Sequence, residues 1–263
     1  MGLQIIGCNY AYGFYSLELF CSIQKQLHRK EIHLYGKAPQ VWIDAEGFLH
    51  LQNVIDTVHR YGLHIHSFEA AEYGYHFGYT NADMRNCSKR YFQNVVDFCA
   101  GASISNLYLY IKPNGFHEAD MEKPLLFETF LWISEYAREK GIEICYKCTD
   151  RSILFMQELE KLLRQNQFNF SYGLDTLQQP ESLSNIISQL GTPDTVFLHG
   201  TAQAIEGYLF ELTSRCYAGS VVAYKTYMEP CSFEDPDYLN HILQSEVSVQ
   251  RMAACAKEGS HEL

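Results

Sequence analysis

Eight short apolar runs recur along this 263-residue chain, each followed by a segment of helical periodicity. They lie near Leu3–Cys8, Glu31–Leu34, His64–Phe68, Asn106–Ile111, Ile142–Tyr146, Phe170–Leu174, Thr195–Leu198 and Val221–Ala223. Their starts are about 25 to 42 residues apart, room for one strand, one loop and one returning helix. Alternating strands and helices imply parallel strands, and eight such units fit a closed barrel. The pattern predicts an α/β chain folded as a single (β/α)8 TIM barrel over residues 1–256, with a polar tail at 257–263.

The helical segments carry their own start and stop signals. After Pro124, Leu126, Phe130, Ile133 and Ala137 fall on one face, and Lys140 then Gly141 mark the end. Asn81 is placed to cap the helix that carries Met84, Tyr91, Val95 and Phe98. Leu51, Ile55 and Val58 form another face, ended by Gly62, and Leu183 to Leu190 a third, ended by Gly191. A last helix is expected over roughly 236–256.

Charge and cysteine content narrow the function classes. The formal net charge is −11 and basic residues form no cluster, which argues against nucleic acid and an anionic membrane surface as partners. Nine cysteines are an odd and scattered set, read as reduced thiols of a cytoplasmic protein. Cys145 and Cys148 make a lone C-x-x-C at the end of an apolar strand, without the second pair that a zinc ribbon needs. The first residues lack a signal sequence, Ile6 breaks a myristoylation pattern at Gly2, and no run is long enough to cross a bilayer.

In a parallel barrel the C-terminal strand ends and the loops after them build the active site. Four neighbouring strand ends carry Lys147, Asp175, His199 and Tyr224, with Lys225 replacing Tyr224 if the register slips by one. The longest loops there are Asn9–Tyr15, Tyr35–Gly47 and Glu69–Ala82. The third holds Tyr73, Tyr75, His76, Phe77 and Tyr79, either an aromatic wall or a loop packed on itself. His64 and His66 alternate on one strand, as a metal pair or as ordinary packed histidines.

The segments Gly141–Lys147, Tyr172–Thr176, Thr195–His199 and Tyr217–Tyr224 resemble consecutive strands of the xylose isomerase-like barrels, which include sugar isomerases and ketose 3-epimerases. Glu72–Tyr75 through Met84-Arg85 is similar to the loop and helix after strand three of fructoselysine 3-epimerase-like proteins. The resemblance implies a metal held by two glutamates, an aspartate and a histidine, where the metal polarises substrate oxygens and the glutamates move a carbon-bound proton. In this sequence the two glutamate positions fall on Lys147 and Tyr224, while Asp175 and His199 are retained. Gln178 stands where a second histidine is expected, and His33 where a glutamate is common. The loop after strand seven shortens to Gly200–Ile205.

This pattern implies a sugar isomerase/epimerase-like barrel without conventional metal-dependent activity. Lys147 and Asp175 are the candidate catalytic residues. His199, Tyr224, Gln178 and His66 are the candidate contacts to a sugar-like small molecule. No cofactor is expected, and Asp175 and His199 are residual ligand positions. One alternative is an active isomerase or epimerase holding Mn²⁺ or another divalent metal through relocated ligands such as Glu69, Glu72 or His66. Another is a metal-free enzyme with Lys147 as base or Schiff-base nucleophile, opposed by the charge of Asp175. The resemblance further implies a homo-oligomer.

Overall fold

The computed structural model describes residues 3–71, 75–110, 123–149, 152–176, 181–227 and 235–259. Eight parallel strands close into a barrel: β1 (Gln4–Cys8), β2 (Glu31–Gly36), β5 (His64–Ala70), β6 (Asn106–Tyr110), β7 (Glu143–Cys148), β8 (Ser171–Asp175), β9 (Thr195–Thr201) and β10 (Ser220–Tyr227). They follow one another around the barrel in chain order, and β10 pairs with β1 to close it. All eight expected strands are present. Eight helices surround them: α1 (Leu17–Gln26), α2 (Leu51–Arg60), α3 (Ala82–Gly101), α4 (Lys123–Glu139), α5 (Ile153–Gln165), α6 (Glu181–Leu190), α7 (Ala202–Ser214) and α8 (Tyr238–Gly259).

Local chemistry sets the helix ends. The Asn81 side chain accepts from the backbone N–H groups of Asp83 and Met84, satisfying donors that the first turn of α3 leaves open. Gly141 turns the chain out of α4 with φ +74°, a conformation that costs a residue with a Cβ. Helix α8 continues to Gly259, beyond the expected start of the polar tail.

Two connections depart from the expected loops. The segment after β2 contains an antiparallel hairpin, β3 (Trp42–Asp44) and β4 (Gly47–Leu49). Asp44 Oδ1 accepts from the Glu46 and Gly47 amides across its turn, an arrangement short enough to be missed by an eight-strand pattern. After β9 no loop intervenes, because the strand runs through Thr201 and α7 begins at Ala202.

The barrel separates two apolar clusters. The larger lies between strands and helices, with Leu34, Phe68, Leu107, Tyr146 and Val196 facing outward. A smaller one, including Ile6, Tyr108, Cys145, Phe197 and Val222, fills the inside. Gly173 makes room for it, since a Cβ there would lie 2.5 Å from the Phe197 ring and 2.9 Å from that of Tyr108. Cys145 belongs to the inner cluster and Cys148 to the outer, so the C-x-x-C thiols point to opposite faces of β7. Burial pushes the Cys145 thiol up to about 12, consistent with an inert packed cysteine. Among the described residues, no helix is long and apolar enough to cross a membrane.

Candidate functional site

Strands β5, β7, β8 and β10 deliver Glu69, Lys147, Asp175 and Tyr224 to one point inside the C-terminal mouth. Lys147 is 1% exposed, although its ammonium would be heavily penalised without partners. Its Nζ donates to Glu69 Oε2 at 3.0 Å and Oε1 at 3.2 Å, and lies 3.2 Å from Asp175 Oδ2. The ammonium also stands 3.3 Å from the centre of the Tyr224 ring and 4.4 Å from that of Phe197. Two carboxylates and two aromatic faces thus replace the water it gave up.

Glu69 is the centre of the network. Its Oε1 also accepts from the Tyr224 hydroxyl at 3.2 Å, and its Oε2 lies 3.4 Å from His33 Nε2. His33 Nδ1 is 2.8 Å from the Ser67 hydroxyl, which can donate to that nitrogen or accept from it. Each oxygen of Glu69 therefore meets two partners, close to all that a carboxylate can accept. Asp175 Oδ1 also lies 3.5 Å from His199 Nδ1, within ion-pair reach but without a hydrogen bond to that nitrogen.

Burial works against each charge here, and the network reverses most of it. Burial alone lowers the basicity of Lys147, but the charges of Glu69 and Asp175 outweigh it and hold the ammonium above its ordinary value. Burial likewise opposes the charge on Asp175, yet Lys147 and His199 keep its carboxyl below the usual range. His33 goes the other way, since burial outweighs Glu69 and favours the neutral ring. Burial, then the charge of Glu69, pushes the Tyr224 phenol far up, so it stays a donor.

Tyrosine rings surround this cluster. Tyr10 stacks on Tyr224 with centroids 4.5 Å apart and meets Tyr35 edge-on at 4.9 Å. Tyr110 lies 5.3 Å from the Lys147 ammonium. Tyr10, Tyr35 and Tyr110 are half-buried, while Tyr224 beneath them is 4% exposed.

The structure brings Lys147, Asp175, His199 and Tyr224 together, and it resolves the register in favour of Tyr224. Lys225 points elsewhere, with its Nζ 6.0 Å from the Tyr10 ring. His66 is not in this group. It lies at the opposite end of the barrel, with Nε2 3.3 Å from Ser220 Oγ and Nδ1 3.7 Å from Glu31 Oε2. Gln178, Glu72 and Tyr73 lie outside the described residues. In the described part of the third loop, two rings pack on the helix that follows: Tyr75 stacks on Tyr91 at 4.2 Å and Phe77 on Phe92 at 3.9 Å. His64, at the start of β5, is exposed.

Sequence reasoning assigned no role to Tyr10, Tyr35 or Tyr110, and named Glu69 only as a relocated metal ligand. Tyr10 and Tyr110 had a usable signal, since each closely follows or ends an apolar run.

No protein-family model matches the chain, and no curated protein matches it in sequence. Solved structures match it over nearly its whole length. A xylose isomerase domain protein from Planctomyces limnophilus superposes with TM-score 0.67 at 12% identity, covering 100% of both chains. An L-ribulose 3-epimerase gives TM-score 0.69 at 9% identity, covering 99% of this chain and 97% of that one. A D-psicose 3-epimerase from Clostridium cellulolyticum H10, solved with D-tagatose, gives 0.63 at 13% identity, covering 100% and 99%. The chain thus has the (β/α)8 fold of the xylose isomerase-like barrels.

Proposed function

We propose that this chain is a sugar isomerase/epimerase-like barrel that binds a sugar-like small molecule without a metal, with the Lys147 ammonium standing in the place of the cation. The supporting observation is the position of Lys147 Nζ, 3.0 Å from Glu69 and 3.2 Å from Asp175. A divalent metal would need those oxygens at about 2.0–2.6 Å and would be repelled by the ammonium between them. Among the described residues, no group of three or more His, Cys, Asp or Glu side chains is arranged to hold a metal ion. These residues do not fit the metal that the fold's resemblance implies.

The two catalytic alternatives meet specific obstacles. Glu69 is 2% exposed with partners on both oxygens, so a proton-abstracting role would require it to abandon the ammonium it neutralises. A Schiff-base lysine must be available as the free amine, and the carboxylates beside Lys147 oppose that form. The chemistry left to the site is recognition. Half-buried tyrosine rings offer apolar faces to a sugar ring, their hydroxyls offer hydrogen bonds, and His199 offers a polar contact at the edge.

The test is the metal content of protein purified without chelators from cultures supplemented with manganese, cobalt and zinc. The expected result is metal far below one equivalent, with ketose binding seen by saturation-transfer NMR and weakened in Tyr10→Ala. Near-stoichiometric metal, lost in Asp175→Ala and His199→Ala, would overturn this reading.

A further inference from the structure

We infer a second site at the N-terminal mouth of the barrel, a Ser220–His66–Glu31 triad able to take the acyl group from a small carboxylic ester. It shares no residue with the sugar-like site and does not depend on that assignment.

The three side chains come from distant strands and meet at the N-terminal mouth of the barrel. Ser220 opens β10, Glu31 opens β2, and His66 lies on β5. Ser220 Oγ is 3.3 Å from His66 Nε2, and the other ring nitrogen, Nδ1, is 3.7 Å from Glu31 Oε2. That is the order of nucleophile, base and orienting carboxylate, with each partner on the correct imidazole nitrogen. Both contacts are longer than a working hydrogen bond, and catalytic contacts in free enzymes commonly tighten only when substrate binds.

The position of His66 supports a built arrangement. In the pairing of β2 with β5, Ile32 faces Ile65 and His33 faces Ser67, leaving His66 as the extra residue of a bulge. A bulge re-aims a side chain at the cost of local pairing. Here it sends His66 across the barrel to Ser220, while Ser67 still reaches His33. The Gln4 side-chain amide donates to the same oxygen of Glu31, Oε2. Gln4 is also the β1 residue paired with Ser220. The group is open to solvent, with side-chain exposures of 24% for His66 and 34% for Glu31.

The chemistry balances without a cofactor. Ser220 Oγ attacks the ester carbonyl as its proton moves to His66 Nε2, and Glu31 stabilises the imidazolium. The tetrahedral adduct expels the alcohol or phenol, which takes the proton from His66 and leaves an acyl-Ser220 ester. Water, deprotonated by His66, then attacks the acyl carbonyl, and the bond to Ser220 Oγ breaks as His66 returns the proton to that oxygen, releasing the carboxylic acid and restoring the serine.

The test is p-nitrophenyl acetate with the full-length protein, reading p-nitrophenolate release and the acetylated peptide by mass spectrometry. The expected result is acetyl on Ser220, with the initial rate lowered about 100-fold in Ser220→Ala and in His66→Gln. A smaller loss is expected in Glu31→Gln. Acetyl confined to lysines or to the exposed Cys216, or an unchanged rate in Ser220→Ala, would overturn the inference. If Ser220→Ala fails to fold, Ser220→Cys provides the check. Its thiol should hold the acetyl group as a thioester, and absence of that adduct would be equally decisive against the site.

Discussion

The Lys147 ammonium stands 3.3 Å from the centre of the Tyr224 ring, and the hydroxyl of that ring donates to Glu69, the carboxylate that Lys147 itself pairs with. The three groups form a closed circuit in which each satisfies the other two. Removing any one leaves a buried charge or a buried acceptor short of a partner.

Lys147→Met is expected to destabilise the fold by about 3–5 kcal/mol, because it strands two buried carboxylates. Adding Glu69→Gln removes one stranded charge and should recover part of the loss. Urea denaturation of the wild type, both single variants and the double variant measures the coupling directly. Strict additivity would contradict the circuit.

Tyr224 contributes in two separable ways. Tyr224→Phe loses only the hydroxyl donated to Glu69 and should cost about 1 kcal/mol. Tyr224→Leu also removes the aromatic face and should cost at least about 1 kcal/mol more. Equal losses in the two variants would mean that the ring face carries no cation–π energy.

Stability should fall at both ends of the pH range. The folded state holds Lys147 above its ordinary 10.5, so its contribution is complete below that value and is lost as pH rises through the folded value. Asp175 is held below its ordinary 3.8, so its contribution is present above that value and is lost as pH falls toward the folded one. His33 is buried neutral, so the unfolded chain binds its proton first and stability begins to drop as pH falls past 6.5. Unfolding free energies measured from pH 3 to 11 should show these three limbs. The acid limb near 6.5 should flatten in His33→Gln.

Gly173→Ala tests the packing beneath the circuit. The added methyl would meet the Phe197 and Tyr108 rings at 2.5 and 2.9 Å, and overpacking of this kind costs about 1–3 kcal/mol. The denaturation midpoint should fall without a change in slope, because the loss is local to the folded state.

What the sequence determined by itself was the architecture. Strand and helix periods are local properties, so eight apolar runs and their spacing were enough to predict the barrel, and the cap at Asn81 was legible in the same way. The strand ends also placed Lys147, Asp175, His199 and Tyr224 at one mouth, because parallel strands of a barrel share one direction. Tertiary structure alone decided which neighbours those residues meet. Glu69 lies one residue past the expected end of its strand, and its pairing with Lys147 spans 78 positions. Two bulges decided what the sequence left open. One inserts His66 into β5, and the other falls at Tyr224, between Ala223 and Lys225. Each breaks the two-residue alternation from which a sequence reading infers facing, turning His66 toward Ser220 and placing Tyr224 rather than Lys225 against the ammonium. A bulge is fixed by the partner strand's register, a relationship between distant segments that no local pattern carries.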